Sequence, residues 1–359
     1  MNPLDRLLIG QVIAERYLVT GLLAKGGMGR VYLGRQLSLD RPVVLKVLPG
    51  ARDPEGRPAH QKRFMREAST CARLEHPNTV TIYDYGELDV DQGRIHLFYI
   101  AMEYVPGRSL SDVLKAEGRL SLERSLRLTW EIGRALREAH DKGVIHRDLK
   151  PSNVMVYEGV EGESIKVLDF GIAKVLEQTD NEAITLDNRI VGSPRYMAPE
   201  QILENHASPR SDIYSLGVLL YELLCGQVPF SRGGATQTMM AQVHQPVPAM
   251  ATHGVSVPES VEKLVLQCLA KHPEERFENI GALFSEIRQL EWLSDTNTTE
   301  ENTVWTLHMT QPPGQVANTA RAWFSFQLPS HTSKTLLGMM LLLNLLIVGL
   351  LIAMLIQGM

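Results

Sequence analysis

His146-Arg147-Asp148-Leu149-Lys150-Pro151-Ser152-Asn153, with Asp169-Phe170-Gly171 beginning sixteen residues after Asn153, is the stretch that decides the fold of this chain. Transfer of a phosphoryl group asks three things of a protein: a carboxylate beside the attacking hydroxyl, ligands for Mg²⁺, and cations on the phosphates. Asp148 can answer the first. Asn153 and Asp169 can answer the second, because hard Mg²⁺ takes oxygen ligands from carboxylates and amides. An isolated His-Arg-Asp tripeptide carries little weight, whereas the eight-residue run with Asp-Phe-Gly at this distance is specific.

The third requirement points upstream. Tyr17–Leu23, Val31–Leu33 and Val43–Leu48 read as short strands, the last an apolar run broken by the single lysine Lys46. Between the first two lies Ala24-Lys25-Gly26-Gly27-Met28-Gly29-Arg30-Val31. A glycine cluster between strands is ordinarily a plain hairpin turn. Here an isolated strand lysine follows fifteen residues after Val31. Glycines let backbone N–H groups approach phosphate oxygens, and Lys46 can place a point charge on the same phosphates.

Together these segments resemble the eukaryotic-type (Hanks-type) protein kinases, and the Gly26-Gly27-Met28-Gly29 core is most like the bacterial Ser/Thr kinases. The resemblance covers residues 17–292. It implies an α+β, bilobal fold: a small β-rich N-lobe over about 17–103 carrying helix C, and a large helical C-lobe over about 106–292. ATP and Mg²⁺ are the implied cofactors, with Mn²⁺ as an alternative metal. Residues 1–16 are set apart as a lead-in. The sequence departs from the family pattern at Ala24, which stands for the first glycine of the loop, and at Val44, which stands for the alanine of V-A-I-K and is expected to pack on the adenine.

Carried over residue by residue, the resemblance implies a nucleotide pocket. Leu23, Ala24, Lys25, Gly26, Gly27, Met28, Gly29 and Val31 come from the turn, and Val44 and Lys46 from the following strand. Met102 stands behind the adenine, Glu103 and Val105 belong to the hinge, and Met155 lies below. Glu67, on a helix predicted over His60–Leu74, is expected to pair with Lys46. A lone helical Glu is more often solvated, and only its place in the pattern favours the pair. Asp148 is the expected catalytic base, Lys150 the phosphate-contacting lysine favouring Ser/Thr acceptors, and Asn153 and Asp169 the metal ligands. Arg147 before the base marks kinases ordered by activation-segment phosphorylation through an Arg–phosphate pair. In that segment Thr185 is the expected autophosphorylation site. Ser193 is expected to bond Asp148 and Lys150. Glu200 is expected to pair with Arg276, and Asp212 to hold the catalytic-loop backbone.

The remaining patterns agree. Leu122–Lys142 is amphipathic, with Ser121 as N-cap and Gly143 as stop. The apolar run from Asp212 to Leu220 is too short to cross a bilayer and reads as a buried central helix. Further helices are predicted near Val261–Ala270 and Ile280–Trp292. The three cysteines form no C-x-x-C pair and read as reduced, buried thiols. A formal net charge of −5 argues against nucleic acid as a partner, and no apolar run follows Met1 as in a signal peptide.

From residue 293 the composition turns to Thr, Asn, Gln, Ser and Pro, as in a tether, here over 293–334. About 40 such residues reach roughly 35 Å as a loose coil. Residues 335–357 then hold an uncharged apolar run, Leu336–Ile356, whose only strongly polar residue is Asn344; at about 1.5 Å per residue it matches a hydrocarbon core of about 30 Å. Arg321, His331 and Lys334 precede it, so the positive-inside bias places the catalytic region in the cytoplasm, at the inner membrane of a bacterium. Trp323, Phe324 and Phe326 are expected to rest at the membrane interface. Asn344 offers a hydrogen bond to a second copy, so a homodimer is an option on which the sequence is otherwise silent. Protein substrates with Ser or Thr acceptors and membrane lipid are the expected partners. The rival reading is a pseudokinase scaffold that binds nucleotide without turnover. It is disfavoured because Lys46, Glu67, Asp148, Asn153 and Asp169 are all present.

Overall fold

Alternation along one strand sets the geometry of the first half of the chain. In Arg41–Pro49, Val43, Leu45 and Val47 are buried, which turns Val44 and Lys46 to the opposite face. In this computed structural model the described residues are 2–25, 29–50, 57–160, 162–171, 193–231 and 233–290. Gly26, Gly27, Met28, Thr185, the linker and the apolar run at 335–357 lie outside them. Among the described residues no helix is long and apolar enough to cross a membrane.

The chain opens with α1 (Pro3–Leu8) and β1 (Val12–Ile13), followed by β2 (Tyr17–Lys25), β3 (Arg30–Gln36) and β4 (Arg41–Pro49). Helix α2 (Arg57–Cys71) then precedes β5 (Ile82–Val90) and β6 (Ile95–Glu103). The six strands form one antiparallel sheet in the order β1-β2-β3-β4-β6-β5. One face of it buries Tyr17, Val19, Tyr32, Val43, Leu45, Val47 and Tyr99. The residues set apart as a lead-in belong to this core. Leu8 and Ile13 are buried in it, and β1 pairs with β2 through Val12↔Leu18. Helix α2 buries Phe64, which stacks on Phe98 of β6 with ring centroids 4.3 Å apart.

The second lobe begins with the short strand β7 (Arg108–Ser109), then α3 (Leu110–Glu117) and α4 (Leu122–Asp141). Ser121 caps α4 by accepting from the Arg124 N–H, and the stripe Leu126, Ile132, Leu136 and Ala139 is buried, as the periodicity predicts. A hairpin of β8 (Val154–Gly159) and β9 (Gly162–Val167) follows the catalytic loop, and β7 joins it. Next come α5 (Pro199–Leu203), α6 (Pro209–Cys225), α7 (Ala235–His244), α8 (Glu259–Cys268) and α9 (Ile280–Arg288). Helix α6 is buried nearly all round. Its Gly217 permits a close crossing with α8: a Cβ there would lie 2.5 Å from the Cβ of Cys268. The three cysteines are free and buried.

Candidate active site

Between the two lobes a cavity of about 430 Å³ opens, of the size that takes a small organic ligand. Its roof is built by the alternation already described. Val44 and Lys46 reach it from the free face of β4, with Ala24, Lys25, Gly29 and Val31 from the β2–β3 hairpin. Its floor carries Asp148, Lys150, Asn153 and Asp169. Lys46 and Asp169, far apart in sequence, thus face one space.

The catalytic loop is held from below. Asp212, on α6 and 1% exposed, accepts from the backbone N–H groups of His146 (2.8 Å) and Arg147 (3.0 Å) and from Nε2 of His140 (2.8 Å). Burial raises the Asp212 carboxyl, but the hydrogen bond and charge of His140, aided by His146, outweigh that and hold it below the usual carboxylate range. This clamp supports a costly backbone: Arg147 has φ +64° and Asp169 has φ +58°, left-handed values that cost a non-glycine residue about 1–2 kcal/mol. His146 ties the two loops together. It is buried, donates from Nε2 to the Leu168 carbonyl at 2.9 Å, accepts from the Asp148 N–H at Nδ1, and rests on the Phe170 ring at 4.8 Å. One donor and one acceptor define a neutral imidazole, and burial lowers its pKa accordingly.

Around the proposed base, Lys150 Nζ lies 2.7 Å from Asp148 Oδ2. The amide Nδ2 of Asn153 donates to the Asp148 carbonyl at 2.9 Å. That bond fixes the nitrogen of the amide and leaves its oxygen as the ligating atom. With the Asp169 carboxylate it makes an oxygen donor set that suits Mg²⁺. Among the described residues no group of three His, Cys, Asp or Glu side chains forms a ready cage, so a cation here would rely on substrate oxygens as well.

Several expectations need correction. Lys46 does not pair with Glu67. Its Nζ lies 2.9 Å from Asp169 Oδ1, and Glu67 is bound at 2.9 Å by Arg66. The side chains on α2 are placed by how the helix packs on β5 and β6, which the pattern of a helix does not encode. Among the described residues Lys150 Nζ bonds Asp148 Oδ2, not Ser193. Leu23, Glu103, Val105 and Met155 do not line the cavity. Leu23 falls at a break in the β2–β3 register between Leu22 and Ala24 and is 49% exposed. The Glu103 carboxylate accepts from Lys166 and the Thr81 N–H. Val105 is buried, and Met155 is opposite Ser109 in the β7–β8 ladder. Met102 does line the cavity, and beyond it the wall is apolar: Cys71, Leu74, Val80, Ile82, Ile100 and Phe170. Phe170 apart, no motif marks these, although Ile100 is two strand positions before Met102 on β6. Burial, with Glu67 nearby, pushes the Cys71 thiol up to about 12, and its Sγ bonds the Phe170 carbonyl at 3.4 Å.

The distant pair behaves as expected. Glu200 and Arg276 form two parallel bonds of 2.8 Å, and Ser211 Oγ donates to Glu200 Oε1 at 2.6 Å. The remaining Arg276 donors reach the Ala270, Arg210 and Lys271 carbonyls, so all five N–H groups are used. Gln242 Nε2 and Ser215 Oγ hold the backbone carbonyls of Arg195 and Tyr196, fixing the segment before Glu200 against α6 and α7.

The family model described as protein kinase domain matches residues 17–293. Three curated relatives show the same likeness. The serine/threonine-protein kinase pkn3 of Myxococcus xanthus is 39% identical over 79% of this chain and 51% of its own length. For PrkC of Bacillus subtilis the figures are 38%, 79% and 41%, and for PknB of Mycobacterium tuberculosis 37%, 77% and 43%. The chain therefore spans about half the length of the curated relatives it matches, or less.

Proposed function

The chain belongs to the protein kinase domain family, and we propose that it is an ATP-dependent serine/threonine protein kinase. The observation that carries this reading is the convergence of Lys46, Asp148, Asn153 and Asp169 on one cavity. Asp148 would orient the acceptor hydroxyl and receive its proton, and Lys150, paired with it, would supply a cation to the transferred phosphoryl group. Asn153 and Asp169 would hold Mg²⁺, which supplies charge neutralisation on the phosphate oxygens. The segment leading into Glu200, tied to α6 and α7, supports a platform for a protein substrate. The names of the relatives support Ser and Thr as acceptors.

The same reading extends to regulation and place. Thr185 is the proposed autophosphorylation site, and Arg147 its phosphate partner. Residues 335–357 anchor the protein as a single membrane span with the kinase in the cytoplasm, supported by their uncharged run and by the basic residues before it. Pairing of two copies through this segment is the proposed route to a homodimer.

The test is phosphotransfer from labelled ATP with Mg²⁺ by the full-length protein, beside Asp148→Asn and Lys46→Met. Label on Ser or Thr with the unmodified protein alone is the expected result. Nucleotide binding without transfer by the unmodified protein would instead make it a scaffold.

A further inference from the structure

Asp5 sits where no motif predicts a functional residue. It lies in the six-residue helix α1, whose Asn2 cap and Pro3 start it and whose Leu8 is sunk in the core of the sheet. Its side chain is 2% exposed. It accepts from Arg30 Nη1 at 2.5 Å and from the Tyr32 hydroxyl at 3.0 Å. Tyr32 is itself fully buried in the sheet, so the carboxylate is anchored from beneath.

The partner's position gives this contact a consequence. Arg30 is the first residue of β3, and it is paired across the hairpin with Lys25, the last of β2. These two cations are the feet of the glycine-rich turn. Like charges directly opposite each other in an antiparallel pair are destabilising. Asp5 supplies the missing negative charge: it bonds one foot, and the charge of Lys25 acts on the same carboxylate. Lys25, Gly29 and Val31, which flank Arg30 and the turn, all line the cavity. Gly29 adds a second constraint, because a Cβ there would lie 2.5 Å from the Val47 carbonyl, so the C-terminal foot is packed hard against β4.

We propose that Asp5 is a positioning residue for the nucleotide: by holding Arg30 and offsetting Lys25, it fixes these two feet of the glycine-rich turn at the edge of the cavity. The assignment rests on the kinase reading and adds to it a residue from outside the span matched by the family. It acts through the turn and touches no substrate. Its effect is therefore confined to ligands that carry phosphates.

That confinement makes the test. Affinities for ATP with Mg²⁺ and for adenosine are measured by calorimetry on the full-length protein, Asp5→Asn, Arg30→Gln and the double variant. Loss of one charge-assisted contact is expected to weaken ATP about tenfold. Adenosine should change less than about twofold, and the double variant should be no weaker than either single one. Arg30 is 18% exposed, so Arg30→Gln reads the same contact even where Asp5→Asn does not fold. ATP affinity unchanged in Arg30→Gln, or equal losses for ATP and adenosine, would overturn the assignment while leaving the kinase reading intact. Failure of the unmodified protein to bind ATP would overturn both.

Discussion

Lys46 Nζ stands 2.9 Å from Asp169 Oδ1, and the carboxylate expected at Lys46, Glu67, is engaged by Arg66 instead. The strand lysine thus neutralises the same carboxylate that a divalent cation would bind. The two cations compete for one charge, so a form in which Asp169 holds metal leaves Lys46 in need of another anion. Glu67 is the carboxylate that the sequence pattern assigns to Lys46, and its present partner Arg66 is 73% exposed.

Glu67→Gln should therefore separate stability from turnover. Exposed ion pairs contribute about 0–1 kcal/mol, so its thermal midpoint is expected to change little. If a metal-bound form sets Glu67 on Lys46, turnover is expected to fall at least about tenfold, the cost of one charge-assisted contact in the transition state. Melting curves and initial rates on the same preparation check both. Unchanged turnover would make the Lys46–Asp169 pair the working arrangement.

Asp212→Asn should damage both. The substitution removes a buried charge that three donors point at, and with it the support for the left-handed Arg147. A loss of about 2–4 kcal/mol in denaturant unfolding is expected. A parallel fall in kcat is expected, because Asp148 follows Arg147 directly.

The Glu200–Arg276 pair predicts a pH dependence. Burial raises the Glu200 carboxyl, but Arg276 and Ser211 outweigh it and hold the folded value below the ordinary 4.5. A depressed carboxylate contributes stability that is present above its unfolded value and is lost as pH falls through the folded one. Glu200→Gln should therefore be less stable than the unmodified protein at pH 7, by about 3–5 kcal/mol for a broken buried pair. The gap should narrow below pH 4.5. Unfolding curves in urea from pH 7 to pH 3 measure it; a gap constant across that range would assign the loss to packing.

Much of this site was legible because it is encoded locally. Period-two alternation puts Val44 and Lys46 on one face whatever surrounds them, and the stripe on α4 carries its own orientation. Asp148, Asn153 and Asp169 were legible from spacing. The misses share a different cause. The partner of Lys46 depends on the placement of α2, and Leu23 is displaced by a break in register. The lead-in was missed because a six-residue helix and a two-residue strand are too short to show periodicity. Leu8 and Ile13 are core residues all the same.

The departure at Ala24 yields the last prediction. A glycine is needed only where φ is positive or a backbone passes close, and Ala24 meets neither condition. It lies within β2, opposite Val31, and is not among the residues with positive φ. Gly29 is the opposite case, with the Val47 carbonyl in the place its Cβ would take. Restoring the family residue with Ala24→Gly should therefore gain nothing: ATP affinity within about twofold, and stability lower by about 0.5–1 kcal/mol from added freedom in the unfolded strand. Gly29→Ala should force the turn off β4, costing about 1–3 kcal/mol as overpacking does, and weakening ATP. Calorimetric titration and thermal melts of the two variants side by side decide it. A tighter ATP complex in Ala24→Gly would mean that the alanine, and not the clasp at Asp5, limits how closely the turn approaches the phosphates.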